Sequence, residues 1–285
     1  MKHIYLNLKR FDVPIELGGV NRIAPISDWG KYIVQKTQGY LKQFDSSKVE
    51  FIQYFPEAHI LGALNACDED SPIQIGSQSV YRFNTSIGGN FGAFTTNRPA
   101  SIVKAMGCTS TIIGHCEERN DKMGVLAEAG VNDSDAINRL LNQEIQTAID
   151  QGLTVLYCIG ENSEEQTNWQ QVLKDQLRIG LSHVDTSKVV IAYEPIWSIG
   201  PGKIPADKEY ITKVAKFIKG ITGGLDVVYG GGLKEDNAQM LASIDEIDGG
   251  LIALTRFHGE IGFYPEEYLN IINLYMSHWE ATHKA

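Results

Sequence analysis

The 285-residue sequence is poor in cysteine, in positive charge and in long apolar runs. Its four cysteines are scattered and form no CxxC pair, which favours reduced thiols and argues against a zinc site. No window approaches the roughly 18 apolar residues of a membrane span, and the first residues lack the apolar stretch of a signal peptide. A formal net charge of −10 argues against a nucleic-acid surface. We therefore expect a cytoplasmic protein that binds neither membranes nor nucleic acid.

Short apolar, β-branched runs alternate with amphipathic runs along the whole chain. Several of the short runs are apolar throughout, as expected of strands buried on both faces of a parallel sheet. The predicted strands span residues 4–8, 49–54, 73–77, 109–113, 154–159, 189–193, 226–229 and 250–254. Helix-sized gaps follow them. The pattern predicts a (β/α)8 barrel that forms a single domain over residues 1–285.

Local signals mark several helix ends and two long connections. Ser163 and Gln166 have the spacing of a capping box, and Pro265 is suited to open a last helix. Residues 81–94 and 120–134 are rich in Gly, Asn, Ser or Asp and are predicted to be lengthened loops. Such loops are either functional or harmless surface insertions.

Three ionisable side chains follow predicted strands, at the end of a barrel where chemistry occurs. They are Lys9, His115 and Glu194, and Gly230–Gly232 border the same mouth. Each alone has an ordinary explanation: an exposed lysine, a hydrogen-bonded core histidine, a capping glutamate and a tight turn. Their joint occurrence at strand ends indicates an active site.

Six segments resemble motifs of the triosephosphate isomerase family, in the family's order and over nearly the whole chain. They span residues 7–9, 92–95, 112–117, 158–161, 192–203 and 229–231. The resemblance implies an aldose–ketose isomerase that needs no cofactor and no metal. Its substrate is a small phosphorylated sugar.

The resemblance also implies roles for single residues. Glu194 is expected to remove the proton next to the substrate carbonyl, and His115 to polarise that carbonyl as a neutral electrophile. Lys9 is expected to stabilise the negative enediolate, while Asn7 and Glu117 position the polar groups around it.

Further residues are assigned to the phosphate and to a partner subunit by the same resemblance. A mobile lid over residues 199–202 is expected to close on the substrate. The residues expected at the phosphate are Gly200, Gly231, Gly232, Ala253 and Leu254. In a homodimer, Thr95 is expected to reach Asn7 and Glu117 of the other subunit.

The departures from the family pattern lie mostly on the phosphate side. Gly232 stands where the family usually has a serine, and Ala253-Leu254 stand where it usually has two glycines. Thr255 or Arg256 could assist the phosphate, although a structural Arg256 is an equal alternative. The histidine motif continues Cys116-Glu117-Glu118-Arg119 rather than Ser-Glu-Arg-Arg, and Pro201 stiffens the lid.

Several functions remain open at this point. The first is interconversion of dihydroxyacetone phosphate and D-glyceraldehyde 3-phosphate. The second is isomerisation of a four-carbon ketose phosphate such as an erythrulose phosphate, and the third is a catalytically silent barrel that binds a phosphorylated metabolite. A metal-dependent epimerase is disfavoured because the predicted strand ends lack a suitable His/Asp cluster.

Overall fold

Eight parallel strands form a closed barrel in which each strand pairs with the next in the chain and the last pairs with the first. The computed structural model describes residues 1–200 and 202–283. The strands are β1 (Lys2–Asn7), β2 (Val49–Phe55), β3 (Ile73–Gln78), β4 (Ser110–Ile113), β5 (Thr154–Ile159), β6 (Val189–Tyr193), β7 (Val227–Tyr229) and β8 (Gly249–Ile252). All eight predicted strands are confirmed; the last ends two residues earlier than expected.

Helices follow the strands and cover the outside of the barrel. They are α1 (Trp29–Leu41), α2 (Glu57–Ala66), α3 (Ala100–Met106), α4 (Cys116–Glu128), α5 (Ser134–Asp150), α6 (Trp169–Gly180), α7 (Lys208–Thr222), α8 (Ala238–Ala242) and α9 (Pro265–Thr282). Helix α9 begins at Pro265 as predicted, because a first-turn residue has no intrahelical use for its N–H. No helix of the described residues is long and apolar enough to cross a membrane.

The core has two layers. Inside the barrel, inward-facing side chains such as Tyr5, Tyr54 and Leu156 form one buried cluster. Outside it, the other face of each strand packs on the helices, with Ile145 of α5 and Ile211 of α7 fully buried. This double burial accounts for the nearly uninterrupted apolar strand sequences.

Two local predictions are wrong. Residues 120–128 belong to α4 rather than to a loop. This helix buries none of its residues, so no apolar stripe revealed it; its cap, its acidic first turn and a Glu118–Lys122 pair hold it instead. The expected Ser163–Gln166 capping box is absent. Asn162 and Glu165 form these contacts, since Asn162 Oδ1 accepts from the Glu165 N–H and Glu165 Oε2 from the Asn162 N–H.

Residues 81–94 contain neither helix nor strand, in agreement with the predicted long loop. A second irregular segment follows β8, where Arg256 and Gly262 form an antiparallel bridge. The domain bounds of 1–285 remain a prediction, because Lys284 and Ala285 lie outside the described residues. The stiffening role expected of Pro201 likewise falls outside them.

Candidate active site

The carboxyl end of β1 places Asn7 and Lys9 at the mouth of the barrel. Lys9 has a φ of 43°, a left-handed conformation that costs a side-chain-bearing residue about 1–3 kcal/mol. Two contacts hold it there: the Lys9 N–H donates to Asn7 Oδ1 at 3.1 Å, and Gln78 Nε2 donates to the Lys9 carbonyl at 3.1 Å. A side chain of β3 therefore helps to hold Lys9 in this strained backbone conformation.

Glu194 and His115 are in direct contact although they are distant in the chain. Cys116, the residue after His115, is 78 positions from Glu194. His115 Nε2 lies 3.0 Å from Glu194 Oε1, and the Cys116 N–H donates to Glu194 Oε2 at 3.0 Å. A Cβ at Gly230 would lie 2.9 Å from Glu194 Cγ, so the glycine leaves room for this carboxylate. The expected base and electrophile are brought together at the ends of β4 and β6.

Glu194 is 2% exposed and sits among opposing electrostatic effects. Burial raises its pKa above the ordinary value, while His115 and the Cys116 N–H act in the opposite direction. That N–H belongs to the first residue of α4, the positive end of the helix dipole. A buried carboxylate with a raised pKa is suited to general-base catalysis.

The ring of His115 is oriented by the backbone of α4. Its Nδ1 accepts a hydrogen bond from the Glu117 N–H at 3.3 Å. Because a backbone N–H can only donate, Nδ1 carries no proton, and a neutral ring then holds its proton on Nε2. This Nε2–H faces Glu194 and the mouth, where it can donate to a carbonyl oxygen.

Lys9 and Glu117 form an ion pair with 3.1 Å between Nζ and Oε1. Burial tends to raise the pKa of Glu117, but its interactions with Lys9 and then His115 outweigh burial and hold that pKa below its ordinary value. Glu117 thus remains ionised and positions the ammonium group of Lys9. Asn7, Lys9, His115, Glu117 and Glu194 all lie at one end of the barrel, as predicted.

The segment that leads into the predicted lid is attached to a buried carboxylate. Glu161 Oε1 accepts hydrogen bonds from Trp197 Nε1 at 2.8 Å and from the hydroxyls of Tyr193 and Tyr210, both at 2.9 Å. Burial raises the pKa of Glu161 in spite of these three donors. The lid segment therefore leaves the barrel from a rigid base, and Gly200 lies beyond it with a φ of 117°.

The residues expected at the phosphate lie on three neighbouring loops: Gly200 after β6, Gly231 and Gly232 after β7, and Ala253 and Leu254 after β8. The alternative role of Arg256 is decided by its partners. Arg256 Nε donates to Glu267 Oε1 at 2.7 Å, and its guanidinium stacks on Tyr264 at 3.8 Å from the ring centroid. Arg256 is a structural residue of the β8 loop.

Thr95 does not join the other site residues within one chain. It is exposed in the loop that follows β3, and it makes no hydrogen bond to Asn7 or Glu117 in the described parts of the chain. Its expected role depends on a second subunit.

Sequence reasoning missed Gln78 and gave Glu161 no role. Gln78 is an uncharged residue at the end of β3, and nothing in its local sequence distinguishes it. Glu161 offered the same signal as Glu194, a carboxylate directly after an apolar strand. Among the described residues, His115, Cys116 and Glu194 form one group with donor atoms within 4.8 Å that could hold a metal ion.

Known proteins share this architecture and sequence. A sequence model described as triosephosphate isomerase matches residues 30–273. Triosephosphate isomerase of Chlamydia trachomatis serovar L2 (strain ATCC VR-902B) is 31% identical over 265 residues, 86% of this chain and 88% of that protein. The enzyme of Mycoplasmopsis pulmonis is 35% identical over 164 residues, 56% of this chain and 61% of that protein. The crystal structure of triosephosphate isomerase from Bartonella henselae has a TM-score of 0.71 at 22% identity and covers 96% of this chain and 99% of its own.

Proposed function

The chain belongs to the triosephosphate isomerase family, and on this premise we propose that it interconverts dihydroxyacetone phosphate and D-glyceraldehyde 3-phosphate with Glu194 as the base. The reaction is an intramolecular oxidation and reduction, and it belongs to glycolysis and gluconeogenesis. The single observation that carries the assignment of the base is the direct approach of His115 Nε2 to a buried Glu194 carboxylate at 3.0 Å.

Proton removal is the first step of the mechanism. The Glu194 carboxylate exchanges its contacts with His115 and Cys116 for the substrate and takes a proton from C1 of dihydroxyacetone phosphate. The electron pair of the broken C–H bond forms the C1–C2 double bond, and the carbonyl electrons move to the oxygen. The Nε2–H of His115 and the Lys9 ammonium stabilise that oxygen as negative charge develops on it.

Proton return completes the reaction. The protonated Glu194 donates its proton to C2, which becomes the carbon bearing a hydroxyl group in glyceraldehyde 3-phosphate. His115 moves the remaining proton between the two oxygens, so no proton is gained or lost overall. Closure of the lid excludes water and strengthens each charge interaction beneath it.

The alternatives gain no comparable support. The curated relatives reported above are named triosephosphate isomerases, which favours the three-carbon substrate over a four-carbon ketose phosphate. His115 contacts Glu194, and both His115 and Lys9 contact Glu117. This connected set of ionisable groups argues against a silent barrel.

We also propose a cytoplasmic homodimer. The thiols of Cys67, Cys108, Cys116 and Cys158 are all free, which fits a reducing compartment. The loop that carries Thr95 projects apolar side chains into solvent, with Phe91 88% exposed. A second subunit would cover this loop and bring Thr95 to Asn7 and Glu117.

Replacement of Glu194 by Asp tests the assignment of the base. The shorter side chain moves the carboxylate about one ångström away from the proton, and we expect kcat to fall about a hundredfold or more while KM changes less than about threefold. The measurement is steady-state kinetics with glyceraldehyde 3-phosphate. Glu209→Asp, an exposed position on α7, is the matched control and should leave both constants unchanged. Near-normal turnover of Glu194→Asp is incompatible with this mechanism.

A further inference from the structure

The side chain of Lys234 lies over Gly232 in the loop that follows β7. A Cβ at position 232 would lie 3.2 Å from Cε of Lys234, closer than an ordinary contact. Gly232 also has a φ of 101°, which disfavours any residue with a side chain. A serine here would need a left-handed backbone conformation and a small shift of the Lys234 side chain. The glycine therefore leaves room for the lysine side chain to lie over this turn.

An aromatic ring from the neighbouring loop holds this ammonium group. Lys234 Nζ lies 4.4 Å from the centroid of Phe257, a cation–π contact. Phe257 stands within the antiparallel bridge of the β8 loop, where the Arg256 N–H donates to the Gly262 carbonyl at 3.1 Å and the Gly262 N–H donates back at 3.2 Å. Arg22 fixes the tip by donating to the Ile261 carbonyl at 2.9 Å. Lys234 is therefore positioned between the β7 and β8 loops.

The charge of Lys234 is not neutralised by the protein. Lys9 is paired with Glu117 and Arg256 with Glu267. Within residues 1–200 and 202–283, by contrast, Lys234 forms no ion pair with a carboxylate, and its contact is with the Phe257 ring. In a chain of net charge −10, an unpaired ammonium at the mouth is a local binding point for an anion.

We propose that Lys234 binds the phosphate group of the substrate and is a specificity-determining residue for phosphorylated substrates. The inference rests on the proposed function, which places Gly231 and Gly232 at the phosphate. Gly232 supplies a backbone N–H, and Lys234 adds a point charge directly beside it. This cation compensates for the side chains of Ala253 and Leu254, which limit close backbone approach on the β8 loop.

The kinetic signature of this role follows from its distance from the reacting carbons. The phosphate keeps its charge through the reaction, so Lys234 stabilises the bound substrate and the transition state equally. Removing the lysine therefore raises KM and leaves kcat nearly unchanged. Removing a catalytic residue gives the opposite pattern.

The test compares Lys234→Met with Lys234→Arg and with Lys174→Met. Methionine keeps the chain length and its contact with Phe257 but removes the charge, arginine restores the charge, and Lys174 is an exposed lysine on α6 that serves as the control. We expect Lys234→Met to raise KM for glyceraldehyde 3-phosphate about tenfold or more with kcat within about threefold. Lys234→Arg, which keeps the positive charge, should have a KM close to that of the wild type. A KM for Lys234→Met equal to that of Lys174→Met overturns the proposal.

A binding measurement separates this proposal from the proposed function. Inorganic phosphate is titrated into each variant by isothermal calorimetry, which needs no turnover. We expect Lys234→Met to weaken phosphate binding about tenfold relative to the wild type and to Lys174→Met. If the wild type lacks isomerase activity, the proposed reaction fails, yet a Lys234-dependent phosphate affinity still supports the anion site. Equal phosphate affinity in all variants refutes it whatever the reaction.

Discussion

At the scale of single residues, the site depends on the buried carboxylate of Glu194, whose pKa is set by opposing effects. Burial of Glu194 disfavours its charged form, and the first N–H of α4 and the neighbouring His115 favour it. Cys116 responds in the same direction: burial and then the charge of Glu194 raise the pKa of its thiol to about 12. The thiol therefore stays protonated, and Glu194 carries the negative charge of this group.

The pH dependence of activity reports this balance. Glu194 must be ionised to accept a proton, and its pKa lies above the ordinary 4.5. We therefore expect kcat/KM to fall as the pH falls, with the midpoint of the acid limb above 4.5. Steady-state kinetics between pH 4 and pH 8 measures it, and near-ultraviolet circular dichroism confirms that the protein stays folded. A folded enzyme whose acid limb lies at or below 4.5 contradicts the assigned environment of Glu194.

At the scale of secondary-structure elements, charged contacts attach α4 to its neighbours and add to the packing of the partly buried Met123 and Leu126. Glu118 Oε2 accepts from the Gly114 N–H at 2.7 Å, and Lys122 Nζ bridges Glu118 at 2.8 Å and Glu144 of α5 at 3.0 Å. Burial and then the charge of Glu118 raise the pKa of Glu144 to about 9. At neutral pH the two carboxyl groups thus share one proton beside one ammonium.

This shared proton makes stability depend on pH. Glu144 binds its proton in the folded protein up to about pH 9, whereas the unfolded chain releases it near 4.5. The contribution is fully present below 4.5 and is lost as the pH rises to 9, by at most about 1.4 kcal/mol per pH unit. We expect Glu144→Gln to flatten this decline in urea unfolding at pH 5 to 9. Glu128→Gln, exposed on α4, is the control; equal slopes in both variants argue against the shared proton.

At the scale of the whole molecule, the two most exposed large apolar side chains of the described residues both lie in the loop after β3. Ile87 and Phe91 are close to fully exposed, and Phe83 is 54% exposed. Tyr81 packs edge-on against both Phe83 and Phe94, so the base of the loop is ordered while its tip is uncovered. Apolar side chains grouped at a loop tip are typical of an interaction surface.

The proposed homodimer makes this loop the place to disrupt assembly. We expect the double variant Ile87→Asp/Phe91→Asp to sediment as a monomer and to lose at least about tenfold in kcat, because Thr95 no longer reaches the second active site. Ile221→Asp, at a partly exposed position near the end of α7, should remain dimeric. Sedimentation velocity gives the oligomeric state. A wild-type protein that is monomeric and fully active rules out the dimer.

Much of the barrel could be predicted because its signals are local. A strand buried on both faces is apolar along most of its length, so the pattern located all eight strands. Helix α4 escaped because it buries no residue and its stabilising partners lie on other elements. Charge contacts across elements leave no period in the sequence.

The residues proposed to be catalytic, Glu194, His115 and Lys9, stand in recognisable local motifs, so the sequence alone singles them out. The supporting residues depend on distances that only the closed barrel sets. Gln78 becomes important because β3 brings it to the Lys9 carbonyl, and Lys234 because a hairpin after β8 brings Phe257 to its ammonium. The chemistry of a side chain can be read from the sequence. Its partners, burial and net charge follow from the strand order and loop packing, which join residues as distant in the chain as Lys2 and Ile247.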